Sequence, residues 1–498
     1  MHRATRIVLI LWLAVCAYSV LFLHLDTLPV QAWDEALFML RAIHLAETGS
    51  MLESFDQFDH GWPQPNHKFS ILTPVQALSV RLLGETALAI RLPIACLALA
   101  TAGLLFWFGR RITGRFMGGW LPAMILLCTT AYTEVHMART GDHDIGFAFF
   151  TTLGLMGLYL WLHDSLRRRR AAFLLMLVGG GGAMLTKSAL AFLLAPGALL
   201  YLLALLPSSK LPVRSVLGGL GLILAVPIVL FGLREWSDPG FLLRMSSNAW
   251  SFFLEPVNAD HDHGWTFYLD CLWKRPHNAL PWLLVLPFTA ALWSRLTRGV
   301  RSFIVLIVLT GAGYLIIASL AGTKTYWYLA SIYPLLALVA GLTLDAAIEP
   351  LERSAAGLGL VLALLFLPAW SSVLSTTYMP TERHPDNHYA DAMHHIMDHG
   401  PNPSSYAIYD AYMNPHITFY IRRFERLHGL DLDRIHRKEP RLHDGLMVLD
   451  CGHQLDEVVP DSLHLRTVHS RRACRLVEVI NAPPASSPPC PPQPGSAP

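Results

Sequence analysis

About eleven long apolar runs dominate this sequence, and they constrain its fold more than any other feature. A helix needs about 20 apolar residues to cross the hydrocarbon core of a bilayer. The runs therefore predict an all-α polytopic membrane protein with about eleven transmembrane helices. The predicted spans lie near 7–25, 90–109, 117–135, 145–162, 171–186, 189–206, 215–233, 279–293, 302–321, 326–345 and 356–374.

Composition supports a membrane protein and argues against a nucleic-acid partner. Of the 498 residues, 53% are hydrophobic and 15% are charged, whereas soluble domains carry about 25% charged residues. The net charge of +2 is too small to suggest binding to nucleic acid. The first apolar run follows basic residues, as in a secretory signal. Because the run is long and lacks a small-residue cleavage site, we predict an uncleaved first helix.

The positions of Lys and Arg predict how the helices are oriented, because short basic loops favour the cytoplasm. With the N-terminus inside, this rule places two long loops, 26–89 and 234–278, and the C-terminal region outside the cytoplasm. The basic clusters of the predicted inner loops are Arg110, Arg111 and Arg115, Arg167 to Arg170, Lys210 and Arg214, and Arg295, Arg298 and Arg301.

Three parts are predicted along the chain. Residues 1–376 form the transmembrane module, 377–482 form a small extracytoplasmic α/β domain, and 483–498 form a disordered tail rich in Pro and Ser. Cys451 and Cys474 lie in the small domain. They either pair in a disulfide bond, if the domain is outside the cytoplasm, or remain as two thiols.

The conspicuous polar residues fall at the outer ends of the predicted helices, not within them. Transporters and proton pumps usually carry charges at mid-bilayer. Acids, bases and cations at one water–lipid boundary instead predict a site for a substrate that is part lipid and part polar. The alternative is ordinary interfacial anchoring by long charged side chains. The residues are Asp34, Glu35, Arg41, His44, Lys68, Arg91, Arg139, Asp142, His143, Asp144, Lys187, His261, Asp262, His263 and Lys324.

Six short motifs, in order, resemble those of the GT-C glycosyltransferases. The nearest group contains the bacterial aminoarabinose transferases of lipid A and the protein O-mannosyltransferases. The resemblance covers about residues 5–345, and it departs where Phe69 and Ser70 replace two prolines of a Lys-Pro-Pro-Leu segment. The similar stretches are Trp33-Asp34-Glu35-Ala36, His67-Lys68-Phe69-Ser70-Ile71-Leu72, Ala89-Ile90-Arg91-Leu92-Pro93, Arg139 with Asp144 and Phe149-Phe150, Leu185-Thr186-Lys187-Ser188, and Lys324 with Tyr328 and Pro334.

The resemblance implies an enzyme that moves a sugar from a polyprenyl phosphate to an acceptor hydroxyl or phosphate, with inversion at the sugar. Negative charge grows on the departing lipid phosphate, so fixed cations nearby lower the barrier. Lys68 is the first candidate for this role. The other expected donor-phosphate residues are Arg139, Lys187, Lys324, Arg91 and Tyr328.

Asp34 is the expected catalytic base. A hydroxyl acceptor must lose a proton as it attacks, and a carboxylate within hydrogen-bond reach accepts it. Neighbouring Glu35 would point elsewhere on a helix, so we expect it to bind the acceptor or to orient an arginine. Asp144, ahead of Asp142, is the second candidate acid.

Dependence on a divalent ion such as zinc, magnesium or manganese is left open by the sequence. Some relatives bind such an ion with a Glu and a His from the two long outer loops. His261 and His263 lie in one of these loops, and His60 and His67 lie in the other. Zinc usually takes three or four protein ligands, and the sequence alone does not assemble them.

Two other functions remain open at this point: a transporter or flippase of a lipid-linked sugar, and a non-catalytic scaffold or sensor. Inverted repeats or mid-membrane charges would favour transport, and the sequence shows neither. The acceptor is equally open between lipid A or lipopolysaccharide, an envelope glycan and a protein. We expect a bacterial inner-membrane location with the site on the periplasmic side.

Overall fold

The computed structural model describes residues 2–31, 33–55, 63–65, 70–134, 136–205, 213–257, 259–274, 282–378, 388–399, 405–410, 415–436 and 441–481. The chain divides into two compact units. The helical unit comprises Met1–Leu28, Phe38–Ser54 and Pro63–Pro380. The C-terminal unit comprises Pro29–Leu37, Phe55–Trp62 and Thr381–Pro498.

Helices make up most of the described chain up to Tyr378, together with two short strands, β1 (Glu53–Phe55) and β2 (Pro63–Pro65). The helices are α1 (Arg3–Leu21), α2 (Asp34–Thr48), α3 (Leu72–Leu83), α4 (Ala87–Thr113), α5 (Phe116–Leu127), α6 (Asp144–His163), α7 (Leu166–Leu205), α8 (Val213–Ser237), α9 (Phe241–Leu254), α10 (Phe267–Lys274), α11 (Val285–Ala291), α12 (Arg298–Leu320), α13 (Ile332–Ile348) and α14 (Ala355–Tyr378).

Each of the eleven apolar runs overlaps a helix among the described residues, and the membrane fold that they predict is confirmed. Among the described residues, 7 helical segments are long and apolar enough to cross a bilayer. Three further apolar helices are shorter: Phe116–Leu127, Leu190–Ala204 and Trp282–Ala291. The total of eleven crossings therefore stays a prediction.

Glycines allow neighbouring helices of the helical unit to approach closely. A Cβ atom at Gly179 on α7 would lie 2.1 Å from the backbone nitrogen of Gly154 on α6. A Cβ atom at Gly197 on α7 would lie 2.1 Å from the carbonyl oxygen of Leu309 on α12. Small residues permit such backbone contact between membrane helices, so α7 is held tightly against both neighbours.

Helix α7 is kinked at Lys187, whose backbone is non-helical (φ −143°, ψ 74°). This agrees with the two predicted apolar runs that meet there. A kink interrupts the ladder of helical hydrogen bonds. The Leu185 carbonyl accepts a hydrogen bond from the backbone N–H of Ile71 at 3.0 Å, which attaches the start of α3 to the kink.

Ion pairs join the links that were predicted to face the cytoplasm. Arg111, at the end of α4, pairs with Asp164 after α6. Arg115, between α4 and α5, pairs at 2.8 Å with both Glu349 and Glu352, which follow α13. The three links that hold these residues therefore meet at one end of the helical unit, and the side of the membrane that this end faces stays a prediction.

Among the residues described from Tyr389 onward, the C-terminal unit contains a five-stranded sheet and two α-helices, which confirms the predicted small α/β fold. The strand order is β4-β3-β5-β7-β6. Strand β3 is parallel to β4 and β5, and β7 is antiparallel to β5 and β6. The elements are α15 (Tyr389–His399), β3 (Ser405–Asp410), α16 (Pro415–His428), β4 (Asp431–His436), β5 (Met447–Cys451), β6 (Leu463–Arg471) and β7 (Cys474–Asn481).

Cys451 and Cys474 form a disulfide bond between directly opposite positions of β5 and β7. The structure thereby selects the first of the two alternatives that the sequence left open. The predicted tail 483–498 lies outside the described residues. The boundary near residue 377 and the extracytoplasmic placement of the small domain stay predictions.

Candidate active site

Three consecutive buried residues, Asp142, His143 and Asp144, precede and open helix α6. Adjacent residues near a helix start point in different directions, about 100° apart around the axis. Each of the three side chains accordingly contacts a different part of the helical unit. This tripeptide is the centre of the candidate site, and its two carboxylates have different partners.

Asp144 is paired with Lys187 at the kink of α7. The Lys187 ammonium donates hydrogen bonds to both carboxylate oxygens, each at 2.7 Å. The same nitrogen lies 5.9 Å from the ring centroid of Tyr328, within the range of a cation–π interaction. The structure thus brings together three of the predicted site residues. It also shows that the positive charge of Lys187 already has a buried counter-charge.

Asp142 forms the second contact, with His136 in the link between α5 and α6. Asp142 Oδ1 and His136 Nδ1 lie 3.1 Å apart, and the His136 ring lies 4.1 Å from the Trp327 ring. Within the described part of the chain, Asp142 Oδ2 is buried and has no hydrogen-bond partner. His136 has a positive φ of 64°, a conformation that costs a non-glycine residue about 1–2 kcal/mol.

His143 forms the third contact, with Gln76 on α3. His143 Nε2 and Gln76 Oε1 are 2.8 Å apart. The Gln76 amide nitrogen donates to the carbonyls of Ile90 and Gly141, at 3.3 and 2.7 Å, so its oxygen must face the histidine as an acceptor. His143 therefore carries a proton on Nε2. Its ring also stacks on Phe38 of α2 at 3.7 Å.

Gln76 was missed by the sequence analysis because it carries no charge and belongs to no motif. The sequence feature that indicates it is a single amide side chain between the apolar residues Val75 and Ala77 of a short helix. Buried amides are usually hydrogen-bonded, so Gln76 was a detectable candidate for a structural contact. It cross-links α3, α4 and the link before α6.

Lys324 lies in the link between α12 and α13 and is only 7% exposed. Its backbone N–H donates to the carbonyl of His261 at 3.1 Å, and the His261 ring packs edge-on against Trp327 at 5.8 Å. The ammonium group makes no ion pair or hydrogen bond with any residue that the structure describes. The Lys324 side chain is thus mostly covered by protein, and its positive charge can be matched by an anionic ligand.

Arg91 and Arg139 both hold the chain that follows α1. Arg91 donates to the carbonyls of Leu25 and Leu28 at 3.0 and 2.8 Å. Arg139 donates to three carbonyls at 2.9 to 3.1 Å. Those acceptors are Val20, Leu23 and His24. Both guanidinium groups therefore support local backbone, and their predicted role at the donor phosphate stays a prediction.

Asp34 and Glu35 open helix α2 and belong to the C-terminal unit. Asp34 is half-buried, and it lies one turn before Phe38 on the same helix. Glu35 is buried and accepts a hydrogen bond from the backbone N–H of Gln31 at 2.7 Å. Glu35 thus stabilises the turn that leads into Asp34. Lys68, with His60 and His67, lies outside the described residues.

The predicted metal residues His261 and His263 point at different aromatic rings. His261 packs on Trp327, whereas His263 stacks on Phe267 at 4.1 Å. Among the residues that the structure describes, neither histidine lies in a group of three potential metal ligands. Their role as ligands stays a prediction.

The chain is similar to known proteins both in sequence and in fold. Residues 72–231 match the family model of dolichyl-phosphate-mannose-protein mannosyltransferases. A 147-residue segment is 30% identical to an uncharacterized protein of Aquifex aeolicus, and this match spans 29% of the chain and 28% of that relative.

The fold is similar to those of solved membrane proteins, among them the following two. ArnT from Cupriavidus metallidurans, bound to undecaprenyl phosphate, matches with a TM-score of 0.64 and 15% identity, over 94% of this chain and 97% of ArnT. The oligosaccharyltransferase AglB from Archaeoglobus fulgidus, in complex with an inhibitory peptide and a dolichol-phosphate, matches with a TM-score of 0.52 and 12% identity. That match covers 86% of this chain and 64% of AglB. At such identities the likeness establishes the fold.

Proposed function

We propose that this chain, which has the GT-C fold, is a membrane glycosyltransferase that takes a sugar from a polyprenyl-phosphate donor. The observation that carries the proposal is the nearly buried Lys324, which has no counter-charge among the described residues. A lipid phosphate would supply that missing anion. The fold agrees, because ArnT was solved with undecaprenyl phosphate and AglB with a dolichol-phosphate.

The proposed reaction is an inverting displacement at the anomeric carbon of the sugar. The acceptor hydroxyl attacks this carbon and its proton passes to a carboxylate, for which Asp34 is the proposed base. The bond between the anomeric carbon and the phosphate oxygen breaks, and its electron pair leaves with the polyprenyl phosphate. Cations placed beside the departing phosphate stabilise this growing charge more than they stabilise the bound donor.

The cations have distinct proposed roles. Lys324 is proposed to bind the phosphate as a point charge, together with Lys68 of the stretch that resembles the Lys-Pro-Pro-Leu segment of the family. Lys187 is already neutralised by Asp144, so we propose that it shapes the site and contributes less charge. Tyr328 lies beside Lys187 and is proposed to border the donor.

We further propose that a divalent metal ion binds at this site. His136 and Asp142 offer two ligand types side by side, and His261 and His263 remain candidates from the sequence. A second structure of the Archaeoglobus fulgidus oligosaccharyltransferase is a complex with zinc and sulfate. We propose zinc, magnesium or manganese as the ions to test.

The acceptor is proposed to be lipid A or lipopolysaccharide, an envelope glycan or a protein, and the site is proposed to face the periplasm across the bacterial inner membrane. A transporter or flippase of lipid-linked sugar is not favoured by the comparisons, since the similar proteins are transferases by name. The scaffold hypothesis makes a different prediction for Asp34, which the following experiment uses.

The test is mass spectrometry of envelope lipids, glycans and proteins from cells with and without the gene. The gene should add a mass equal to one sugar residue to one envelope component. Cells that carry Asp34→Asn or Lys68→Ala should make normal amounts of inserted protein and lack that mass. If Asp34→Asn cells retained the full modification, the scaffold hypothesis would replace the proposed catalysis.

A further inference from the structure

The C-terminal unit includes the segment that leads into Asp34. Residues Pro29–Leu37 cluster with the domain that begins near Thr381, although some 350 residues separate them along the chain. A small domain that is remote in sequence thus forms part of the surroundings of the proposed base. Among the described residues, one hydrogen bond that joins this segment to the domain involves Val30 and Tyr420.

That hydrogen bond runs from the backbone N–H of Val30 to the hydroxyl oxygen of Tyr420 at 2.9 Å. Both residues are buried. A buried backbone N–H that loses its partner incurs the full cost of its lost hydration. The Tyr420 hydroxyl therefore holds Val30 in place, four residues before Asp34.

Tyr420 is itself firmly held by helix α16. The buried face of this helix carries Ile417, Phe419 and Phe424, and the Tyr420 ring lies 6.4 Å from the Phe424 ring. Thr418 on α16 accepts a hydrogen bond from Arg434 on β4 at 2.9 Å. The position of Tyr420 is thus set by packing and by hydrogen bonds of the sheet domain.

The described residues between Val30 and Glu35 are held by local hydrogen bonds and include one strained residue. The Gln31 side chain donates to the Pro29 carbonyl at 3.1 Å, and the Gln31 backbone N–H donates to Glu35 at 2.7 Å. Trp33 has a positive φ of 66°, which costs about 1–2 kcal/mol for a residue with a side chain. Neighbouring contacts must impose this conformation.

We propose that the C-terminal domain positions the catalytic base, and that Tyr420 is a positioning residue for Asp34. This inference rests on the proposed function, in which Asp34 accepts the acceptor proton. Proton transfer needs the base within hydrogen-bond reach of the attacking hydroxyl, and displacements of about 1 Å can cost a hundredfold in rate. The domain acts through the hydrogen bond between Tyr420 and Val30 and does not itself touch substrate.

The test compares two tyrosine variants of the full-length protein in native membranes. Tyr420→Phe removes only the hydroxyl that holds Val30. The matched control is Tyr406→Phe, because Tyr406 is a buried tyrosine of the same domain whose hydroxyl has no hydrogen-bond partner among the described residues. Purified variants are also tested for binding of undecaprenyl phosphate and for hydrogen exchange of residues 29–37.

We expect Tyr420→Phe to slow sugar transfer about tenfold, at an unchanged affinity for undecaprenyl phosphate, and to speed amide exchange at Val30. Tyr406→Phe should match the unmodified protein in all three measurements. Wild-type transfer by Tyr420→Phe would overturn the positioning role, even if Val30 exchanged faster. Full transfer by Asp34→Asn would instead refute the proposed base, so the two failures are distinguishable.

Discussion

Lys187, at the kink of α7, and Lys324, in the link between α12 and α13, should respond oppositely to substitution by methionine. The Lys187 ammonium makes two 2.7 Å bonds to the buried carboxylate of Asp144. The variant Lys187→Met leaves the buried Asp144 carboxylate without these two hydrogen bonds. Removing one partner of a buried ion pair costs about 3–5 kcal/mol. Because the Lys187 side chain is 19% exposed and water reaches the pair, we expect a loss of about 3 kcal/mol in unfolding free energy.

Lys324→Met should leave stability unchanged or raise it by about 1 kcal/mol, because it removes a charge from a mostly buried side chain and leaves no described residue without a partner. It should instead weaken the binding of undecaprenyl phosphate. A hydrogen bond to a charged group contributes about 1.5–3 kcal/mol, so the dissociation constant should rise roughly 10- to 100-fold.

The assay is equilibrium unfolding in mixed micelles, followed by tryptophan fluorescence, alongside titration with undecaprenyl phosphate. The double variant Asp144→Asn/Lys187→Met is the control. It removes both charges, so its stability should return to within about 1 kcal/mol of the unmodified protein. If Lys187→Met were as stable as the unmodified protein, the proposed stabilising role of the Asp144–Lys187 pair would be wrong. If Lys324→Met bound undecaprenyl phosphate normally, the proposed role of Lys324 in phosphate binding would be wrong.

Three further outcomes test the packing and the small domain. Gly179→Ala should destabilise the helical unit by about 2 kcal/mol, because its new methyl group would lie 2.1 Å from the facing backbone of α6. The control is Gly218→Ala, whose methyl group would have nothing within 4 Å and which should be neutral or stabilising. Both variants are measured by thermal unfolding. Reduction of the Cys451–Cys474 bond, which closes a sequence separation of 23 residues, should lower the stability of the small domain by about 3 kcal/mol, measured by domain-specific hydrogen exchange with and without reductant. Burial lowers the pKa of His394 below its usual 6.5. Protonation therefore favours the unfolded state, and the stability of the folded domain declines as pH falls below about 6.5. The variant His394→Gln should flatten that decline, and a pH profile of stability that stays unchanged in this variant would contradict the argument.

The fold was largely predictable from the sequence because its signals are local. Apolar runs of membrane length mark helices whatever they pack against, and the turn at Lys187 was visible as a short polar break between two such runs. The helical packing was not predictable. Contacts such as the one between Gly154 and Gly179 depend on which faces of two helices meet, and that is decided only when the helices assemble.

The sequence predicted which residues belong to the candidate site, but it did not predict which of them contact one another. Motif order identified Asp144, Lys187 and Lys324, but the sequence treated the two lysines as equivalent cations. Residues without charge or motif, such as Gln76 and Tyr420, escaped notice although they hold the tripeptide before α6 and the segment before Asp34. Their importance lies in hydrogen bonds to residues far away in sequence.

The amino-acid sequence by itself determined that this chain enters a membrane and where its polar residues gather, since hydrophobicity acts residue by residue along a helix. Only the tertiary structure decided which charges neutralise one another. Asp144 and Lys187 pair across 43 positions, whereas Lys324 stays nearly buried with no counter-charge in the described chain. Electrostatic energy depends on distance in space and on the surrounding dielectric, and neither quantity exists until the chain has folded.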